Sequence, residues 1–184
     1  MCGIAGIFHV ESSKPVDPER LRRMTDAIAH RGPDGAGVWT APGIGLGHRR
    51  LSIIDLGGGA QPMLTEDERF ALSFNGEIYN FQELRKELEA LGHQFRTHSD
   101  SEVILEAYRA WGPKCVERLH GMFVFALYDQ ANRQLLLARD RLLQDHLAAL
   151  EVAGDVGAYR VLADVAAAEL VDLALRLRAD PQAF

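Results

Sequence analysis

The stretch GMFVFALYDQANRQLLLAR, Gly121 to Arg139, decides the fold. Gly121 to Tyr128 is an apolar run of strand length, and Arg133 to Arg139 is a second. The turn-forming Asp129 and Asn132 lie between them, so the two runs read as an antiparallel hairpin. Working outward, Gln94 to His98 reads as a short strand. Ser99 or Asp100 can cap the helix that follows, which runs to about Trp111. Phe81, Leu84, Leu88 and Leu91 share one helical face ended by Gly92, and Asn80 with Glu83 makes a capping-box-like start. Arg69 to Phe74 is another strand. Between Gly35 and Ile54 the chain is Gly-rich with β-branched residues, the mark of short strands and tight turns. Asp17-Pro18 opens a helix through Leu21, Met24 and Ile28 toward a stop at Gly32, and Ile4 to His9 reads as a strand. Strands outnumber helices and short turns join neighbours. The expected class is α+β, with antiparallel sheet and helices layered on it.

From Leu142 onward the composition changes. The last 43 residues hold 11 Ala and 9 Leu but only two Gly, and they carry −4 of the chain's formal charge of −6. Val161, Val165, Ala168, Val171 and Leu175 follow helical steps, so this tail is expected to be mostly helical. The body is assigned to residues 1–142 and the Ala/Leu-rich tail to residues 143–184.

At 184 residues the chain is long enough to bury a core without disulfides or a structural metal. The acidic balance and the lack of any Lys/Arg run argue against a nucleic-acid module. No apolar run approaches the roughly 20 residues needed to cross a bilayer, and no signal peptide is visible. Cys2 and Cys115 are the two cysteines, with no zinc-like spacing, so no metal site and a reducing cytoplasm are expected.

Cys2 follows the initiator Met directly. Removal of Met1 would give one residue both a thiol and a free α-amine. Their ordinary pKa values, roughly 8.5 and roughly 7.7–8.0, let them share a proton near neutrality. The amine then serves as general base and the thiolate attacks a carbonyl. An inert buried cysteine is the bland alternative. The strand that starts at once and the small Gly3 and Gly6 favour an anchored, accessible thiol.

Met1-Cys2-Gly3-Ile4-Ala5-Gly6 resembles the start of class II, N-terminal-nucleophile glutamine amidotransferases. More narrowly, it is similar to the glutaminase domain of glutamine-hydrolysing asparagine synthetases. The likeness continues through His30-Arg31-Gly32-Pro33-Asp34-Gly35, the run Gly47 to Asp55, and Gln61-Pro62-Met63. Phe74-Asn75-Gly76-Glu77-Ile78-Tyr79-Asn80, Ser99-Asp100-Ser101-Glu102, Gly121 to Ala126, and Ala138 to Leu142 complete it. It implies an α/β/β/α sandwich of antiparallel sheets of the Ntn-hydrolase type, here truncated. In that pattern Cys2 is the nucleophile, and Asn75 and the Gly76 backbone donate to the oxyanion. Asn75-Gly76 is also a strong hairpin signal in its own right. Arg50 would grip the glutamine α-carboxylate, Asp100 the α-ammonium with help from Glu77, and Leu51, Ile53 and Ile54 would shape the pocket. The resemblance implies that the loop from His30 to Gly35 lies near the glutamine pocket or the route by which ammonia leaves, and its residues are given no catalytic role.

After Leu142 the family pattern stops. The synthetase domain that would use ATP and Mg is not in this sequence, so no cofactor is expected of this chain. L-glutamine is the implied ligand, and a separate synthetase subunit the implied acceptor of ammonia. The competing expectation is a catalytically silent remnant that serves as a binding module or has no function.

Overall fold

The computed structural model describes residues 2–9, 14–51 and 59–140, together with two short strands at 151–153 and 158–160. The described chain forms four layers. The first sheet holds β1 (Gly3–Phe8), β2 (Gly35–Ala41) and β3 (Ile44–Arg50) in the order β1-β3-β2. The second holds β4 (Met63–Leu64), β5 (Phe70–Ile78), β6 (Gly121–Asp129) and β7 (Gln134–Arg139) in sequence order. Every pairing is antiparallel. Helix α1 (Pro18–Ala27) covers the first sheet; α2 (Phe81–Ala90) and α3 (Asp100–Trp111) lie on the far side of the second. The expected α+β class and the α/β/β/α layering are both present.

The period of two along each strand builds this stack. On β7, Leu135 and Leu137 face the first sheet, whereas Leu136 and Ala138 face the helices. On β5 and β6, Phe70, Leu72, Phe74, Phe123, Phe125 and Leu127 pack against α2 and α3. Ala71, Ala126 and Tyr128 meet Phe8, Ile44 and Leu46 between the sheets. On β3, Gly45 and Gly47 turn toward α1. A Cβ on Gly47 would lie 2.1 Å from Thr25 Oγ1, so the helix approaches only because none is there.

Local signals hold at several ends. Asp17 accepts the Glu19 N–H at 2.9 Å, with Pro18 opening α1. Ser99 caps α3 by accepting from Ser101 N, which leaves the Asp100 side chain for another use. Four expectations need correction. Asn80 makes no side-chain cap. Its amide instead donates to Arg118 O and accepts from His120 N, both at 2.9 Å, which ties the start of α2 to the entry of β6. Leu91 lies past the end of α2 and is 60% exposed, so it leaves the apolar face. Gln94 to His98 is not a strand. The N–H groups of Arg96 and Thr97 donate to the Glu102 carboxylate, at 2.9 and 2.7 Å, in place of a neighbouring strand. The tail departs from helix at β8 (Glu151–Ala153) and β9 (Ala158–Arg160), an antiparallel pair with β8 beside β1. Val152 and Tyr159 favour strand, and Gly154 and Gly157 in the sequence between disfavour helix. The stripe from Val161 to Leu175 lies outside the described residues.

His48 sits in the layer between the sheets, 1% exposed. Burial, aided by the Arg50 charge, lowers its pKa to about 4. The unfolded imidazole binds a proton below about pH 6.5 that the buried ring refuses until about pH 4. This group's share of stability is therefore complete above about pH 6.5 and is lost progressively toward about pH 4, by roughly 3 kcal/mol. Urea unfolding at about pH 7 and about pH 4.5 should show the fall, and His48→Asn should remove most of that share.

Candidate active site

Cys2 stands immediately before β1, and its position follows from the pairing of that strand. Gly3 lies opposite Arg49 on β3, so the residue before it reaches the end of β3. There the Leu51 N–H donates to Cys2 Sγ at 3.3 Å, and the thiol lies 3.6 Å from the Leu51 carbonyl oxygen. The Arg31 guanidinium donates from Nε to the Cys2 carbonyl at 3.1 Å. The thiol is half-buried. The Leu51 backbone at the thiol and the Arg31 guanidinium at the carbonyl thus hold this residue at both of its ends.

The loop from His30 to Gly35 supplies that cation. Gly32 crosses the end of β3 so closely that a Cβ would lie 2.3 Å from the Arg49 carbonyl carbon. Asp34 N then donates to Arg50 O at 3.0 Å. Sequence reasoning gave this loop no part in catalysis, and Arg31 is a residue it missed. A cation directly before Gly32-Pro33 carries no spacing signal toward residue 2.

The paired arginines at the end of β3 separate. Arg49 turns to α1, donating to Thr25 O at 3.1 Å and pairing with Asp26. Arg50 lines a cavity of about 250 Å³. Cys2, Leu51, Asn75, Gly76, Glu77 and Asp100 line the same cavity. That volume lies just below the usual range for ligand pockets, which suits a small molecule. Every described residue proposed from the sequence is therefore in one place; Ile53 and Ile54 lie outside the described residues.

Asn75 and Gly76 lie inside β5 rather than at a hairpin turn, with Gly76 paired to Phe123. The hairpin signal yields because the strand partner β6 runs alongside through the whole segment. Gly76 has φ +146°, and a Cβ there would lie 2.1 Å from the Met122 carbonyl oxygen. Asn75 is buried and Glu77 exposed.

Asp100 is 5% exposed, and its Oδ2 accepts the Ile78 N–H at 3.1 Å. Burial pushes its carboxyl up, with the Glu77 charge adding in the same direction; backbone donors from Ile78 and Ser101 oppose the rise. A cation bound in the cavity would reverse it. The Gln61 side chain was also missed. It accepts from Phe74 N at 2.6 Å and donates to Ser101 Oγ at 3.3 Å, joining β5 to α3 at the cavity wall. Among the described residues no cluster of three or more His, Cys, Asp or Glu could hold a metal ion. Among them, too, no helix is long and apolar enough to cross a membrane.

A half-buried thiol, a backbone donor, a guanidinium and a buried carboxyl group surround one small cavity in a stack of two antiparallel sheets. The model of the glutamine amidotransferase domain matches residues 1–155, and the chain belongs to that family. Asparagine synthetase [glutamine-hydrolyzing] 3 of Bacillus subtilis (strain 168) is 42% identical over 144 residues, covering 77% of this chain and 24% of that protein. Asparagine synthetase B [glutamine-hydrolyzing] of Escherichia coli (strain K12) is 41% identical over 142 residues, covering 77% and 26%. The chain spans about a quarter of the length of these curated relatives. The glutamine phosphoribosylpyrophosphate amidotransferase of B. subtilis, solved with ADP and GMP, shares the fold. Its TM-score is 0.59 at 18% identity, covering 76% of this chain and 37% of that one. The likeness to the N-terminal region of asparagine synthetases, read from the sequence motifs, is borne out.

Gly76→Ala should destabilise the domain by at least about 2 kcal/mol, since it adds both a left-handed φ strain and a backbone clash. Denaturant unfolding measures this. A similar loss is not expected at Gly92, where a Cβ meets nothing within 4 Å and only the φ strain remains.

Proposed function

We propose that this chain carries the glutaminase half-reaction of a glutamine-hydrolysing asparagine synthetase, converting L-glutamine and water to L-glutamate and ammonia. The gathering of Cys2, Arg50, Asn75, Gly76 and Asp100 around one cavity carries this reading. We assign the catalytic unit to residues 1–142 and a tail to residues 143–184; the relatives align over 142–144 residues, and the family match runs on to residue 155.

In this reading Met1 is removed and the Cys2 α-amine takes the thiol proton, directly or through a water. The thiolate attacks the side-chain amide carbon. The Asn75 amide and the Gly76 N–H stabilise the oxyanion, at about 10²–10³-fold for each donor. Collapse breaks the C–N bond and releases ammonia, with the proton delivered from the amine. A γ-glutamyl thioester remains on Cys2, and water hydrolyses it with the amine again as base. Arg50 pairs with the α-carboxylate in a forked geometry, and Asp100 with the α-ammonium, assisted by Glu77. Leu51, Ile53 and Ile54 close the pocket around the methylenes. The half-reaction calls for no cofactor. ATP and Mg would serve a synthetase, and a separate synthetase subunit would receive the ammonia for asparagine formation from aspartate. The chemistry and the free thiols suit a cytoplasmic protein.

Glutamate release by the purified chain, with Met1 loss confirmed by intact mass, tests the reading. Cys2→Ala should abolish turnover while leaving the melting temperature close to that of the parent. A folded parent that releases no glutamate would favour a binding module instead.

Arg50→Lys should raise KM for glutamine about tenfold or more with a smaller change in kcat, because a point charge replaces a fork. The kcat/KM profile should show an acid limb above the ordinary aspartate range of about 3.9, reporting Asp100 in the free enzyme. Asp100 protonates there, loses its charge and releases its hold on the ammonium. Asp100→Asn should raise KM and erase that limb.

A further inference from the structure

The site is divided between two sheets. Cys2, Arg50 and Leu51 belong to the first, whereas Asn75 and Gly76 belong to the second. Most of the interface between the sheets is apolar, formed by residues such as Phe8, Leu46, Tyr128 and Leu137. Apolar contact is non-directional and sets no fine register between the layers. Among the described residues, a polar link centred on Ser73 crosses the interface. His48 Nδ1 lies 3.2 Å from Ser73 Oγ, and the Ser73 hydroxyl donates to the Gly47 carbonyl at 3.3 Å.

The proton count fixes the direction of this link. Ser73 has one hydroxyl proton and gives it to Gly47, so its oxygen accepts from His48 Nδ1–H. His48 Nε2 is then the bare acceptor nitrogen, and it has no partner in the structure. The other tautomer would bury an unpartnered N–H. Both residues are almost wholly buried, so the link is shielded from competing water.

Its location relates it to the site. His48 is two residues before Arg50 on β3, and Ser73 is two residues before Asn75 on β5. Residues two apart share a face and stand about 7 Å from each other. The link therefore joins the two sheets one step from Arg50, which the Gly3–Arg49 pairing sets level with Cys2, and one step from Asn75.

We infer that His48 and Ser73 are positioning residues, whose hydrogen bond sets the separation between the Cys2 thiol and the Asn75–Gly76 donors. The inference rests on the glutaminase reading above. Oxyanion donors act only within a narrow distance range, and a displacement near 1 Å costs about 10²-fold in rate. Breaking the link should therefore lower kcat and spare KM, because Arg50 and Asp100 still bind the amino-acid end.

Steady-state glutamine hydrolysis by the full chain tests this. Ser73→Ala and His48→Leu should each lower kcat about tenfold or more, with KM within about twofold. His48→Asn places an amide N–H near the Nδ1 position and should restore most of the rate. The double variant Ser73→Ala/His48→Leu should be no slower than the worse single variant, since both remove one interaction. Leu137→Val, in the same layer, should lower the melting temperature and leave kcat unchanged. A folded Ser73→Ala with parental kcat would overturn the inference while leaving the glutaminase reading intact. A kcat loss in Leu137→Val equal to that in Ser73→Ala would overturn it too, reducing the link to ordinary stability. A folded parent without turnover would remove the glutaminase reading and the inference with it.

Discussion

The antiparallel pairing of β1 with β3 governs where the second residue of the chain can be. A chain terminus normally frays, because little holds its last residues. Here the register Gly3 to Arg49 carries the strand to its first residue, and the Leu51 N–H meets the thiol beyond it. Arg31 closes the arrangement from the side. A reactive group at the least constrained part of a polypeptide thereby gains the order of a core position. The proposed function depends on this, since a mobile Cys2 thiol would have no defined distance to Asn75 and Gly76 across the cavity.

The interface between the sheets changes character along its length. Phe8, Ile44, Tyr128 and Leu135 occupy one end, and the buried polar groups His48, Ser73 and Asn75 occupy the other. The apolar end supplies most of the burial energy, and the polar end places charge and donors where water has been excluded. Buried polar groups are tolerable there because most are paired; burial holds the His48 ring neutral rather than leaving it as an unpaired cation.

The layers and most of the site were legible in the sequence because both rest on short-range patterns. Alternating apolar residues in Gly121 to Arg139 state which face each strand buries, and Asp17-Pro18 states where α1 starts. Cys2, Arg50, Asn75 and Asp100 came from motif blocks and meet at one cavity. What was missed depends on contacts distant in sequence. Asn80 has the spacing of a cap, yet its amide serves the chain 38 and 40 residues away. Asn75-Gly76 has the composition of a turn, yet β6 holds it in a strand. Arg31 and Gln61 act across 29 and 13 residues and leave no periodic trace. In the tail, the Ala/Leu-rich composition hid the two short strands on either side of Gly154 and Gly157.

The Glu102 carboxylate also takes the Thr97 hydroxyl, at 2.6 Å, beside the two amides noted above. One side chain on α3 thus replaces an entire neighbouring strand as the acceptor for the chain arriving from α2. Residues 92–95 precede that grip, and His93 Nδ1 lies 2.7 Å from the Glu106 carboxylate, so the same helix holds the connection at a second point. The Ser99 cap and the Ile78 N–H then fix the first turn of α3, so Asp100 takes its station from the helix and from β5 rather than from the segment that precedes it.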